Sequence, residues 1–167
     1  MRRIRLRTCG NCTACCEGWL HDESLEMEAG KPCQHCTSRG CAIYDNRPEE
    51  PCRTFRCEWL KNEESFDDEM RPDRCGAILI SDRPFKQWDV IRVIPVGVSV
   101  PKPTLSTVMK HAAESEKPLI WTERRPDYAD HPMDVSVGSA GPEEFTIQMK
   151  WDMRPEDVWS YSKPADS

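Results

Sequence analysis

The sequence predicts an α+β protein, with a turn-rich, cysteine-stapled N-terminal third docked on a small, mostly antiparallel sheet with one helix. Three observations carry this prediction. Nine of the ten cysteines fall between Cys9 and Cys57, the tenth is Cys75, and residues 76–167 have none. The cysteine-bearing segment is interrupted so often by Gly, Pro and Asn that only short elements fit. Beyond Cys75, β-branched runs bounded by polar turns take over.

In the N-terminal third, two short helices are expected, one over residues 22–28 and one over 55–64. The runs at 77–80 and 90–96 read as strands, and 105–116 reads as a helix that begins after Pro103 with Thr104 near its cap. Three more strands are expected, at 119–122, 134–137 and 144–150, with Gly138-Ser-Ala-Gly141 as the hairpin between the last two. These divisions give a cysteine-rich region at 1–66, a sheet region at 67–155 and a loose tail at 156–167.

At 167 residues the chain suits one ordinary domain. Charged residues make up 31% and apolar ones 38%, with a mean hydropathy of -0.71, so the core that can be buried is modest. Something besides burial must hold the polar third together. Disulfides belong to secreted chains, yet the basic start, Met1-Arg-Arg-Ile-Arg-Leu-Arg7, is followed by no apolar signal-peptide core. No apolar run approaches the roughly 20 residues of a membrane span. A cytoplasmic location is therefore expected, where thiols stay reduced and clustered cysteines serve as metal ligands.

The net charge is -6, and residues 1–60 carry nine basic and nine acidic side chains, so the excess lies further on. An acidic chain with one short basic segment is a poor nucleic-acid binder. Arg39, Arg47, Arg53 and Arg56, placed among the cysteines, read as counter-charges to thiolate.

The chemistry lies in the cysteine spacing. Cys9-x2-Cys12-x2-Cys15-Cys16 is followed by Cys33-x2-Cys36-x4-Cys41 and then Cys52-x4-Cys57. A two-residue gap lets both thiolates of a knuckle reach one metal while intervening N–H groups face sulfur. Cys-x2-Cys-x2-Cys with a remote fourth cysteine suits an iron–sulfur cubane, whereas paired knuckles suit tetrahedral zinc. Cys15 and Cys16 point in different directions on an extended chain, which assigns them to different metals or leaves one unused.

At these residues the chain resembles the YkgJ-like cysteine-cluster family, a zinc- or iron-chelating domain named for its CxxCxxCC motif. Cys9-Gly-Asn-Cys12-Thr-Ala-Cys15-Cys16 matches that motif at every cysteine, and Cys33-Gln-His-Cys36, Gly40-Cys41-Ala-Ile-Tyr44, Arg47-Pro48 and Cys52-Arg-Thr-Phe55-Arg-Cys57 match its second block. The resemblance covers residues 9–60, with a weaker echo at Arg71-Pro72-Asp73-Arg74. It implies a metal, zinc or an iron–sulfur cluster, held by Cys9, Cys12, Cys15, Cys16, Cys33, Cys36, Cys41, Cys52 and Cys57. Cys36 stands where many relatives carry an apolar residue and Cys75 lies outside the motif, which ranks both below the other eight.

Among the remaining residues, His35 is a secondary ligand candidate, while His21, His111 and His131 share no useful spacing. Trp19, Tyr44, Phe55 and Trp59 are expected to wall water from the metal, and Arg47-Pro48 to fix a turn that aims Cys41 and Cys52 inward. The C-terminal half shows no phosphate loop, nucleophile elbow or carboxylate pair. The leading expectation is a structural or interaction module whose partners are the metal ion and a docked protein. A redox or protein-modifying enzyme and a metal storage or delivery protein stay open as alternatives.

Overall fold

The computed structural model describes residues 7–17, 22, 24–27, 31–124 and 135–154. The basic residues 2–5, Trp19, His21, His131 and the expected loose tail lie outside the described residues.

Its frame is a four-stranded sheet. Strands β3 (Ala77–Ile80), β4 (Ile91–Pro95), β5 (Leu119–Arg124) and β6 (Val135–Ala140) lie side by side in that order. Both outer pairs are antiparallel and the β4–β5 pair is parallel. Parallel neighbours need a long crossover, and helix α3 (Lys102–Glu114) supplies it. The sheet, in register Ile78↔Ile94 and Trp121↔Gly138, is thus mixed but mostly antiparallel, and the α+β class holds. Every residue of β3 and β4 is buried, as their unbroken apolar runs require.

Alternate residues of β5 join different apolar clusters. Leu119 packs with Val108 and Ala112 of α3, whereas Ile120 packs with Phe145 and Met149 of helix α4 (Glu143–Asp152). Helix α4 corrects the strand expected at 144–150. Phe145, Ile147 and Met149 do alternate, but Phe145 and Met149 are also four apart, and only they are buried while Ile147 is 51% exposed. Glu143 and Glu144 in the first turn favour the helix end they occupy. The sheet therefore has two long helices, where the sequence suggested one.

The expected hairpin at 138–141 is corrected as well, because Gly138 lies inside β6 opposite Trp121. A Cβ there would sit 2.1 Å from the indole, so this glycine makes room for a ring. Near the start of α3, Thr104 caps nothing; its buried hydroxyl donates to the carbonyl of Cys75 at 2.6 Å. That bond ties α3 to the end of the short helix α2 (Pro72–Cys75).

The described residues of the N-terminal third have little regular structure. It contains a two-residue hairpin, β1 (Cys36–Thr37) with β2 (Gly40–Cys41), several single helical turns and helix α1 (Glu58–Lys61). The helix expected over 55–64 is thus cut to four residues. Of the one expected over 22–28, the described residues, 22 and 24–27, form a tight turn instead. Asp22 and Met27 exchange backbone hydrogen bonds at 3.0 and 2.9 Å, the Asp22 carboxylate accepts from the Leu25 N–H, and Glu26 takes a positive φ of 51°.

Candidate metal centre

The first cysteine loop is shaped by its own backbone. Cys12 N–H donates to the Cys9 carbonyl at 3.0 Å, and Gly10 supplies the positive φ, 56°, that the turn demands. The chain then enters a single 3₁₀ turn, Ala14–Cys16. Three residues per turn set successive side chains about 120° apart, which sends Cys15 and Cys16 to different sides. Cys12 and Cys15 pack against the larger apolar cluster beside buried Cys57. Cys16 packs with Cys36 and Cys52 against a separate small cluster of Leu25, Met27 and Cys33.

Backbone donors face several sulfurs. His35 N–H lies 3.4 Å from Cys33 Sγ, the knuckle arrangement in which the amide two residues on addresses the thiol. Cys12 has the same relation to Ala14, and Cys57 to Trp59 and Leu60. The two segments are joined where Cys33 N–H donates to the Cys16 carbonyl at 2.8 Å.

One cavity of about 70 Å³ collects these groups. Cys9, Cys12, Cys15, Cys16, Cys33, Cys41, Cys52 and Cys57 all contribute to its wall; Cys36 and Cys75 do not. Between the sulfurs the wall is largely apolar, with Leu25, Met27, Phe55 and Trp59 among its members. Burial pushes the Cys57 thiol up to about 11 and the Cys16 thiol up to about 12, with neighbouring sulfurs adding to the shift. Burial first, then the sulfurs of Cys57, Cys9 and Cys12, pushes Cys15 well above the ordinary thiol value. As free groups these thiols are neutral at pH 7.

An all-thiolate donor set fits zinc or an iron–sulfur cluster by its softness. The sulfurs as placed are not closed on a point: among the described residues, no three Cys, His, Asp or Glu side chains are placed to hold one ion. Neutral thiols have no mutual attraction, so an ion that bound them would have to draw them together.

The cysteines left off the wall differ from the rest. Cys75 is buried and its thiol donates to the carbonyls of Met70, at 3.5 Å, and Ala77, at 3.2 Å, which is the behaviour of a protonated core side chain. Burial raises the Cys36 thiol too, and after burial the Glu17 carboxylate acts on it more strongly than any sulfur.

Of the four arginines expected as counter-charges, Arg47 alone lines the cavity, where its charge lowers the Cys52 thiol against the stronger effects that raise it. Its Nε donates to the Tyr44 carbonyl at 2.8 Å, and its guanidinium lies 3.7 Å from the Tyr44 ring centre. Arg53 braces the same turn through the carbonyls of Arg47 and Asp45. Arg39 and Arg56 are exposed. His35 lines the cavity, while His111 packs on Phe66 with ring centres 4.6 Å apart.

Two supports escaped the sequence reading. Arg7, which counted only as part of a basic start, donates to the carbonyls of Trp59 at 2.8 Å and Phe66 at 2.7 Å and lies over the Trp59 ring. Arg71 holds Asp73 with two hydrogen bonds and reaches Asn11, inside the first knuckle, at 2.9 Å. The Arg71-Pro72-Asp73-Arg74 echo was the signal for this second support. Among the described residues, nothing partners the buried Nε1 of Trp59 itself.

Compared with protein families, with curated proteins and with solved structures, the chain matches none. Among the described residues no helix is long and apolar enough to cross a membrane.

Proposed function

We propose that this chain is a metal-thiolate protein, a cytoplasmic structural or interaction module that chelates zinc or an iron–sulfur cluster through its clustered cysteines. One observation carries the reading: eight cysteines from three chain segments share the wall of a single, largely apolar cavity. Free thiols rarely gather in so polar and turn-rich a segment without a ligand to hold. Backbone N–H groups aimed at Cys33, Cys12 and Cys57 support it, since such donors stabilise thiolate in metal knuckles. The match to the CxxCxxCC motif supports it further. The bound metal supplies cross-linking of segments that have too little apolar area to hold themselves together.

The test is elemental analysis and an absorption spectrum of protein purified without oxygen. Zinc with a featureless visible spectrum identifies the first option, and iron with equimolar acid-labile sulfide and visible charge-transfer bands the second. Protein that emerges folded, reduced and metal-free, and that takes up neither metal, removes the reading.

A further inference from the structure

We propose that the eight cavity cysteines form two separate four-thiolate centres, Cys9, Cys12, Cys15 and Cys57 holding one and Cys16, Cys33, Cys41 and Cys52 the other. The inference rests on the metal-thiolate reading and adds the partition. Its first ground is local geometry. The 3₁₀ turn at Ala14–Cys16 sends adjacent sulfurs to sides about 120° apart, so one tetrahedral ion cannot take both without unwinding the turn.

Its second ground is packing. Cys57, Cys12 and Cys15 belong to the cluster that includes the sheet, beside Trp59 and Met70. Cys33, Cys16 and Cys52 belong to the cluster built on Leu25 and Met27. Phe55 packs against both clusters. Cys15 touches the second as well as the first, whereas Cys16 touches the second and not the first.

The third ground is the bookkeeping of donors. Each group has four sulfurs on the cavity wall, the number a closed thiolate site requires. Cys36, paired with Cys41 across the β1–β2 hairpin, is a fifth sulfur near the second group but lies off the wall. Trp59 Nε1, buried beside the first group and unpartnered among the described residues, is a donor available to a thiolate or sulfide there.

The experiment is cadmium loading of the reduced full chain, read by ¹¹³Cd–¹H correlation to the cysteine Hβ protons. Two cadmium signals are expected, one coupled to Cys9, Cys12, Cys15 and Cys57, the other to Cys16, Cys33, Cys41 and Cys52. The wild-type chain is used, so no result depends on a variant folding. Cys12→Ser and Cys33→Ser are then each expected to keep one signal and lose the other. One signal coupled to both groups, or a cysteine coupled to both cadmium ions, overturns the partition while leaving metal binding intact. A chain that binds neither cadmium nor any metal as purified removes both.

Discussion

The N–H of Cys33 donates to the carbonyl of Cys16 at 2.8 Å, joining two chain segments that have no other ladder between them among the described residues. Among the described residues, the segment around it buries Leu25, Met27 and Cys33 as a cluster, which is too little to offset the roughly 1–2 kcal/mol per residue that ordering a backbone costs. Removing the metal should therefore release this bond while the β3–β4 ladder persists. Hydrogen exchange checks it: the Cys33 amide should lose its protection on chelation, and that of Ile94 should not. A metal-free, reduced chain that still protects Cys33 would show that burial suffices.

Cysteines off the cavity wall should be dispensable for metal. Cys75→Ser and Cys36→Ser are expected to retain full metal content, whereas Cys12→Ser and Cys57→Ser lose metal in the same assay. Cys75→Ser should itself be mild, because the Met70 and Ala77 carbonyls that accept from the thiol can accept from a hydroxyl. Loss of metal from Cys75→Ser equal to that from Cys12→Ser would place the thiol in the coordination shell.

Metal uptake should be strongly pH-dependent. Folded-state values near 11 for Cys57 and near 12 for Cys16 lie above the ordinary 9.0, so the metal-free fold favours neutral thiols. The sign follows from linkage: their contribution to metal-free stability is complete below about pH 9 and lost as pH rises through the folded values. Coordination needs thiolate, so each four-thiolate centre should release about four protons at pH 7, and affinity should rise with pH. Indicator-dye titration measures the release. Uptake without protons would mean that ligands other than these thiols hold the ion.

Much of this arrangement was legible in the sequence because its signals are local. The runs at 77–80 and 90–96 could pack only as buried strands, and the Cys-x2-Cys spacing carries its own backbone geometry. Where long-range contacts decided, the pattern misled. Residues 144–150 satisfy period 2 and period 3.6 together, and what resolves them is the pocket of Phe85 and Trp88 that receives Phe145, with ring centres 6.3 and 5.5 Å away. Asp22-Glu-Ser-Leu25 has the composition of a helix start, yet the Asp22 carboxylate satisfies the Leu25 N–H in a turn that returns at Met27. The division between Cys15 and Cys16 was expected from an extended chain and is found in a 3₁₀ turn, where the same separation has a different cause.

Arg7 should matter more than any arginine among the cysteines. Its two hydrogen bonds reach carbonyls of Trp59 and Phe66 more than 50 residues away, and its side chain is only 11% exposed. Hydrogen bonds from a charged donor are worth roughly 1.5–3 kcal/mol each before the released carbonyls rehydrate. Arg7→Ala is expected to lower stability by about 2 kcal/mol and speed metal loss to a chelator, with Arg39→Ala, on an exposed side chain, near neutral. Equal behaviour of the two variants in denaturant melts and chelator kinetics would refute the anchoring role.

Gly138 should resist even alanine. Trp121 and Gly138 are directly opposed across the β5–β6 pair, and the indole covers the glycine so closely that an added Cβ would meet Trp121 Cε2 at 2.1 Å and Cζ2 at 2.2 Å. Real carbon contacts lie near 3.5–4.0 Å, so the ring must swing away. Trp121 packs against the apolar cluster that also receives Trp59 and Cys57, and displacing it leaves part of that cluster open. Overpacking of this kind costs about 1–3 kcal/mol, and the loss of a glycine's unfolded-state freedom returns only some of it. Gly138→Ala is therefore expected to lower the melting temperature and shift the tryptophan emission. Gly97→Ala is the control, since nothing lies within 4 Å of its would-be Cβ, and it should be near neutral. If Gly138→Ala matched that control in both readouts, the ring would not occupy the space above the glycine, and the β5–β6 register that places it there would be wrong.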